Sequence, residues 1–189
     1  MNGVYHTLVA LVEDRPGVLN RVASVLRRRD FNIESIAVGR TDQADLSRMT
    51  IVVNAESANV EQVRKQLAKL IDVVKIVDIT DESKVERELA LIKVKTSPVT
   101  RGEIINIVNI FRANIVDVAQ DSMIVEVTGD EDKIASLLSL LHGFGIKETA
   151  RTGRIALTRG GVGPLVVEEE PKVVRMARKP PAPESPANW

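Results

Sequence analysis

From Val4 to Ile79 the chain switches between the period of a strand and the period of a helix in one fixed order, and that order limits the folds open to it. An alternating apolar run, Val4 to Val12, reads as a strand that stops at Asp14-Arg15-Pro16-Gly17. Leu19, Val22, Ala23 and Leu26 then recur at three- and four-residue spacings, the apolar stripe of a helix. Arg27-Arg28-Arg29 follows in the last turn, where cations favour the macrodipole, and reads as a solvated helix end rather than a binding patch. Asn32 to Arg40 makes a second strand, Thr41 to Asp45 a polar hairpin loop, and Leu46 to Val53 the returning strand. Val60, Val63, Leu67 and Leu70 mark a second helix, and Val73 to Ile79 a fourth strand.

The same order recurs with little identity. Glu88 to Lys95 reads as a strand, Ile104, Ile105, Val108 and Phe111 as a helix stripe, and Ile115–Val118 with Met123–Val127 as a strand pair. Ile134, Leu137, Leu138 and Leu141 give another helix, Ile146 to Ala150 a short strand, and Ile155-Ala156-Leu157 one more. Strand, helix, strand, strand, helix, strand, read twice, gives an α+β protein of two ferredoxin-like βαββαβ domains, over residues 4–80 and 88–160. A charged linker, 81–87, is expected between them. Five of the eight prolines fall between Pro171 and Pro186, so 161–189 is expected to be a disordered tail with solvated Lys172, Arg175, Arg178 and Lys179.

Lys plus Arg equals Asp plus Glu at 26 each, so no net field draws the chain to nucleic acid or an anionic membrane. Aromatic residues make up 3 %, too few for base-stacking platforms, and Met49 and Ile51 stand where an RNA-recognition sheet would need them. The absence of cysteine removes disulfides, zinc thiolates and thiol nucleophiles. The N-terminus carries no secretory pattern and no apolar run spans a bilayer, so a soluble cytoplasmic protein is expected. His6 and His142 lack metal-ligand spacing, and Arg159-Gly160-Gly161-Val162-Gly163-Pro164 follows no strand-to-helix pattern. Glu13, Asp14 and Glu34 are candidates for an acid/base pair but read better as charges at strand ends. No catalytic or metal-binding residue is expected.

What remains is the loop before the first helix. A helix N-terminus carries unpaired N–H groups and positive charge, Pro16 stiffens the turn, and Gly17 lets a ligand come close. Such a place suits the carboxylate of a free amino acid. Asn32 opens the second strand, which is expected to lie beside the first, and its amide both donates and accepts, as a zwitterion requires. One small domain encloses little, so two copies would share the pocket, and the ligand would then stabilise the pair.

These residues resemble an ACT domain, an amino-acid-sensing module, and more of the chain resembles the small, regulatory subunits of acetolactate synthase. The matching pieces are Asp14 to Val22, Phe31-Asn32-Ile33-Glu34-Ser35, Leu46-Ser47-Arg48-Met49-Thr50-Ile51 and Lys69 to Val73, then Val85 to Leu89, Ile110 to Val118 and Ala150-Arg151-Thr152-Gly153. They run collinearly over roughly residues 4 to 160. The resemblance implies an N-terminal ACT domain that binds effector and dimerises, and a C-terminal ACT-like domain that helps contact a large catalytic subunit. It implies no cofactor in this chain, with thiamine diphosphate, magnesium and FAD on the large subunit. The small subunit would activate its partner and confer feedback inhibition by valine or another branched-chain amino acid. Effector contacts implied are Asp14, Gly17, Val18 and Leu19 of one protomer with Asn32 and Ile33 of another. The N–H groups of Gly17 to Leu19 would take the carboxylate, Asp14 and Asn32 the ammonium, and Val18 with Ile33 the side chain. The alternative is a stand-alone ACT-type regulator of another metabolic enzyme, against which the matching second half argues.

Overall fold

The structure, a computed structural model, describes residues 4–54, 57–160, 163 and 165. The expected disordered tail lies outside these residues, apart from Gly163 and Leu165. The first half runs β1 (Tyr5–Glu13), α1 (Val18–Arg28), β2 (Ile33–Arg40), β3 (Leu46–Asn54), α2 (Ser57–Leu67) and β4 (Val73–Asp78). Its antiparallel sheet has the order β2-β3-β1-β4. The second half runs β5 (Lys84–Lys95), α3 (Arg101–Ile110), β6 (Asn114–Val118), β7 (Ser122–Gly129), α4 (Glu131–His142), β8 (Ile146–Arg151) and β9 (Ile155–Thr158). Its order, β6-β7-β5-β8, is the same ferredoxin-like arrangement, with β9 added beside β5. The α+β fold of two βαββαβ units is therefore as read.

Each sheet buries one face under its two helices. Leu8, Ala10, Val12, Met49, Ile51 and Val53 meet Val18, Val22, Val25 and Leu26 of α1 and Val60, Val63 and Leu67 of α2. Full burial of each Val, Leu, Ile or Met side chain among these contributes roughly 1.5–3 kcal/mol relative to leaving it exposed. The α1 stripe differs from the expected one. Leu19 is 50 % exposed, and Val18, Val22 and Val25 face the sheet in its place. One residue is a 100° turn, enough to carry Leu19 off a stripe centred on those valines. Arg27 and Arg28 do lie exposed in the last turn of α1.

Two further differences come from contacts between the halves. Strand β1 does not alternate in burial: Val9 and Leu11, on the face away from the helices, pack with Ile79, Ala156 and Leu165. The run Leu8 to Val12 is continuously apolar because both faces are covered. Residues 84–87, expected as linker, form the start of β5, where Lys84 to Arg87 pair with Thr158 to Ile155. This two-stranded ladder covers part of the helix-free face of the first sheet, over β1. Arg48 Nη2 donates to the Ala156 carbonyl at 2.7 Å, Thr7 Oγ1 to Glu86 Oε1 at 3.2 Å, and the Arg154 N–H to Ser35 Oγ at 2.8 Å. Met49 and Ile51 thus lie in the helix-facing core rather than on an open platform, and the opposite face is partly occupied.

Candidate functional site

The end of β1 is built as the sequence suggests. Pairing with β3 ends at Glu13, and the Asp14 N–H donates to the Asp45 carbonyl at 2.8 Å, tying the loop to the β2–β3 hairpin. The Asp14 carboxylate meets Arg40 Nε at 2.8 Å, and Arg15 Nη1 meets Glu13 Oε2 at 3.1 Å. Gly17 occupies the N-cap at φ +89°, a left-handed conformation that favours glycine, and a Cβ there would touch nothing within 4 Å. No side chain caps α1 and its first turn holds no acid, so its positive end is open to solvent beside exposed Gly17 and Leu19. Val18 turns its side chain into the core and is 3 % exposed, and its N–H turns back to the Arg15 carbonyl at 3.4 Å. The apolar side chain presented at this end is Leu19.

Asn32 is exposed and Ile33 half-buried, at the other end of the sheet. Strand β2 does not lie beside β1; β3 intervenes and leaves β2 at the open edge. Ile33 pairs with Val53, which pairs with His6, so Asn32 lies level with the start of β1 while Asp14 follows its end. At about 3.4 Å per residue, the two groups of candidate residues stand about 25 Å apart along the strands. A single protomer brings Asp14, Gly17 and Leu19 together, and separately Asn32 and Ile33, but does not join the two groups.

The other candidates do not assemble. Glu13 and Asp14 are separated from Glu34 in the same way, His6 lies buried in β1 with Nδ1 3.1 Å from Asp78 Oδ2, and His142 ends α4. Among the described residues no cluster of three or more His, Cys, Asp or Glu could hold a metal, and no helix is long and apolar enough to cross a membrane.

Residues 8–75 match the family model described as the AHAS small subunit-like ACT domain, and residues 87–160 that described as the small subunit of acetolactate synthase. The chain belongs to the acetolactate synthase small-subunit family. A probable acetolactate synthase small subunit of Archaeoglobus fulgidus is 59 % identical over 155 residues, covering 82 % of this chain and 97 % of the relative. The acetolactate synthase small subunit of Bacillus subtilis is 55 % identical over 150 residues, covering 79 % and 87 %. Among solved structures, the acetolactate synthase small subunit from Thermotoga maritima superposes with a TM-score of 0.77 at 40 % identity, over 84 % of this chain and 99 % of that one.

Within this small-subunit frame, two motifs that looked independent in the sequence meet. Ser35 of Asn-Ile-Glu-Ser accepts the Arg154 N–H, and Gly153 of Ala-Arg-Thr-Gly sits at φ +81° against the same strand. A Cβ on Gly153 would lie 2.8 Å from Ser35 Oγ and 3.0 Å from the Ile36 carbonyl oxygen. Nearby, Arg151 makes a two-pronged ion pair with buried Glu88, Nε to Oε1 at 2.8 Å and Nη2 to Oε2 at 2.5 Å, and Arg154 Nη2 reaches Glu131 Oε2 at 2.8 Å. The hydrogen bonds it donates to Glu88 hold the Arg151 guanidinium above its ordinary pKa. Sequence reasoning missed this joint and the Asp14–Arg40 pair. The motifs themselves were the only available signal, since nothing local tells Ser35 that Arg154 will reach it.

Proposed function

We propose that this chain is the regulatory subunit of an acetolactate synthase, activating a large catalytic subunit and conferring feedback inhibition by valine or another branched-chain amino acid. The large subunit would carry the thiamine diphosphate, magnesium and FAD. The observation that supports this reading is the pairing of an open β2 edge with two half-sites at opposite ends of the same sheet. Strand β2 ends at Arg40, whose guanidinium holds Asp14. If two β2 edges pair antiparallel around a two-fold axis, Asn32 of the partner subunit arrives about 4.8 Å from the Arg40 end of this one. The half-sites of two chains then adjoin, twice per dimer.

In that pocket the ligand carboxylate meets the N–H groups at the start of α1, beside exposed Gly17 and Leu19. Asp14 and Asn32 of the partner subunit take the ammonium, and Leu19 with Ile33 of the partner subunit the apolar side chain. The ACT domain, residues 4–80, is the sensing and dimerising part, and residues 88–160 belong to the part that serves the catalytic subunit. A ligand shared by two protomers couples its binding to their association and so to regulation.

Calorimetric titration with valine, against leucine, isoleucine and serine, tests the pocket, with saturation at one or half a ligand per chain expected. Gly17→Asp places a carboxylate where the ligand's own would lie, and should abolish inhibition of the reconstituted enzyme while leaving activation largely intact. Retained valine sensitivity in that variant would exclude this site.

A further inference from the structure

The β5–β9 ladder has two faces. Glu86 and Ala156 are paired across it and turn toward the first sheet, where Thr7 and Val9 meet them. Val85 pairs with Leu157 and Arg87 with Ile155, so these four occupy the other face. They form one wall of a cleft of about 360 Å³ whose floor is the outer face of β2 and β3: Ala37, Gly39, Arg48 and Thr50. Ile155 is 59 % and Leu157 63 % exposed, with Val38 half-exposed at the rim. Four residues of a short strand thus keep two large apolar side chains in water, beside a floor kept low by Ala37 and Gly39.

The charge of this cleft is one-sided. Its lining holds Arg40, Arg48 and Arg87 and no acid, in a chain whose charges balance overall. Arg40 is paired with Asp14. Arg48 donates to the Ala156 carbonyl and Arg87 to the Glu86 carbonyl, and among the described residues neither meets a carboxylate. Burial also pushes the Arg48 guanidinium below its ordinary pKa, the mark of a charge partly stripped of water without a counter-charge.

We propose that this cleft docks the catalytic subunit, through a segment of that subunit in which apolar side chains are flanked by carboxylates. An apolar wall with two guanidiniums that meet no carboxylate among the described residues, Arg48 on the floor and Arg87 beside Ile155, is the complement of such a segment. A second copy of this chain does not fit the charge: an isologous contact would set arginines against arginines with no acid to offset them. Residues of both halves form the cleft, so its shape follows how the halves are joined, and an occupant would feel that joint. The proposal rests on the reading of the chain as a regulatory subunit and names the surface that reading leaves open.

The test uses the full chain reconstituted with its catalytic subunit. Leu157→Asp, and Ile155→Asp separately, should raise the concentration needed for half-maximal activation at least about 10-fold, as for central apolar contacts. Arg87→Glu should raise it about 5-fold and flatten its dependence on salt. Ile110→Asp, on the exposed side of α3, should change nothing. Sedimentation and valine titration should match wild type in all four variants, which separates docking from folding and sensing. Wild-type activation by both Leu157→Asp and Arg87→Glu would overturn the proposal. So would dissociation of the dimer in those variants, which would make the occupant a second copy, or a gain of activation, which would make it a segment of this chain. Failure of the unaltered chain to activate any catalytic subunit would instead sink the regulatory reading itself.

Discussion

Gly17 and Gly153 have nearly the same left-handed backbone, φ +89° and +81°, but very different surroundings. Replacing each by alanine separates the cost of the conformation from the cost of close approach. A non-glycine residue in that region costs roughly 1–2 kcal/mol, partly offset by the lower unfolded-state entropy of alanine, about 0.4–1 kcal/mol. At Gly17 a Cβ meets open space, so Gly17→Ala should destabilise by about 1 kcal/mol or less. At Gly153 the Cβ would sit 2.8 Å from Ser35 Oγ, 3.0 Å from the Ile36 oxygen and 3.3 Å from the Ile36 carbonyl carbon. Ser35 is held by the Arg154 N–H and Ile36 by pairing with Ile51, so neither yields freely. Overpacking of this kind costs typically about 1–3 kcal/mol more, giving about 2–4 kcal/mol for Gly153→Ala. Urea unfolding of the full chain, followed by a helix signal and by a probe in each half, measures the difference. Two midpoints rather than one would show that the joint had loosened before the halves unfolded. Equal destabilisation by the two substitutions, within about 0.5 kcal/mol, would refute the idea that Gly153 is required by the inter-half contact.

The exposed Leu19 and buried Val22 make a second pair. Val22→Ala should cost about 1–3 kcal/mol and Leu19→Ala less than about 0.5 kcal/mol in thermal unfolding, while only Leu19→Ala should weaken valine binding; the reverse order of stability would place the helix stripe wrongly. Hydrogen bonds from Arg64 to Glu61, Nε to Oε2 at 2.7 Å and Nη2 to Oε1 at 2.8 Å, lower the Glu61 pKa from 4.5 to about 2, with Lys65 adding to the effect. Its contribution to folding is present above the unfolded value and is lost as pH falls through about 2; an NMR titration should find that midpoint and see it climb toward 4.5 in Arg64→Gln.

Much of this architecture was legible in the chain. Period two and period 3.6 follow from where successive Cβ atoms point, so the apolar pattern placed the four helices and nine strands found among the described residues, with Ile155–Leu157 among them. The turn at Asp14 to Gly17 was equally local, since the left-handed N-cap asks for glycine whatever surrounds it. Half of the candidate site followed from the same stretch, and the motif residues supplied the family.

Periodicity says that a face is apolar without saying what covers it. Val9 and Leu11 are buried because a ladder built from Lys84–Arg87 and Ile155–Thr158 returns over the first sheet, and nothing near β1 encodes that return. The same return turned an expected linker into strand and brought Ser35 against Gly153. Strand direction likewise placed the candidate residues. Strands β1 and β2 are both antiparallel to β3 and so run parallel, which sets Asp14, after the end of one, and Asn32, before the start of the other, at opposite ends of one sheet. The sequence by itself determined most of the elements, the turn at Asp14 to Gly17 and the candidate residues around it. Only the tertiary structure decided which faces are dry, which edge stays open and how far apart the two groups of candidate residues stand, because those depend on contacts between segments remote in the chain.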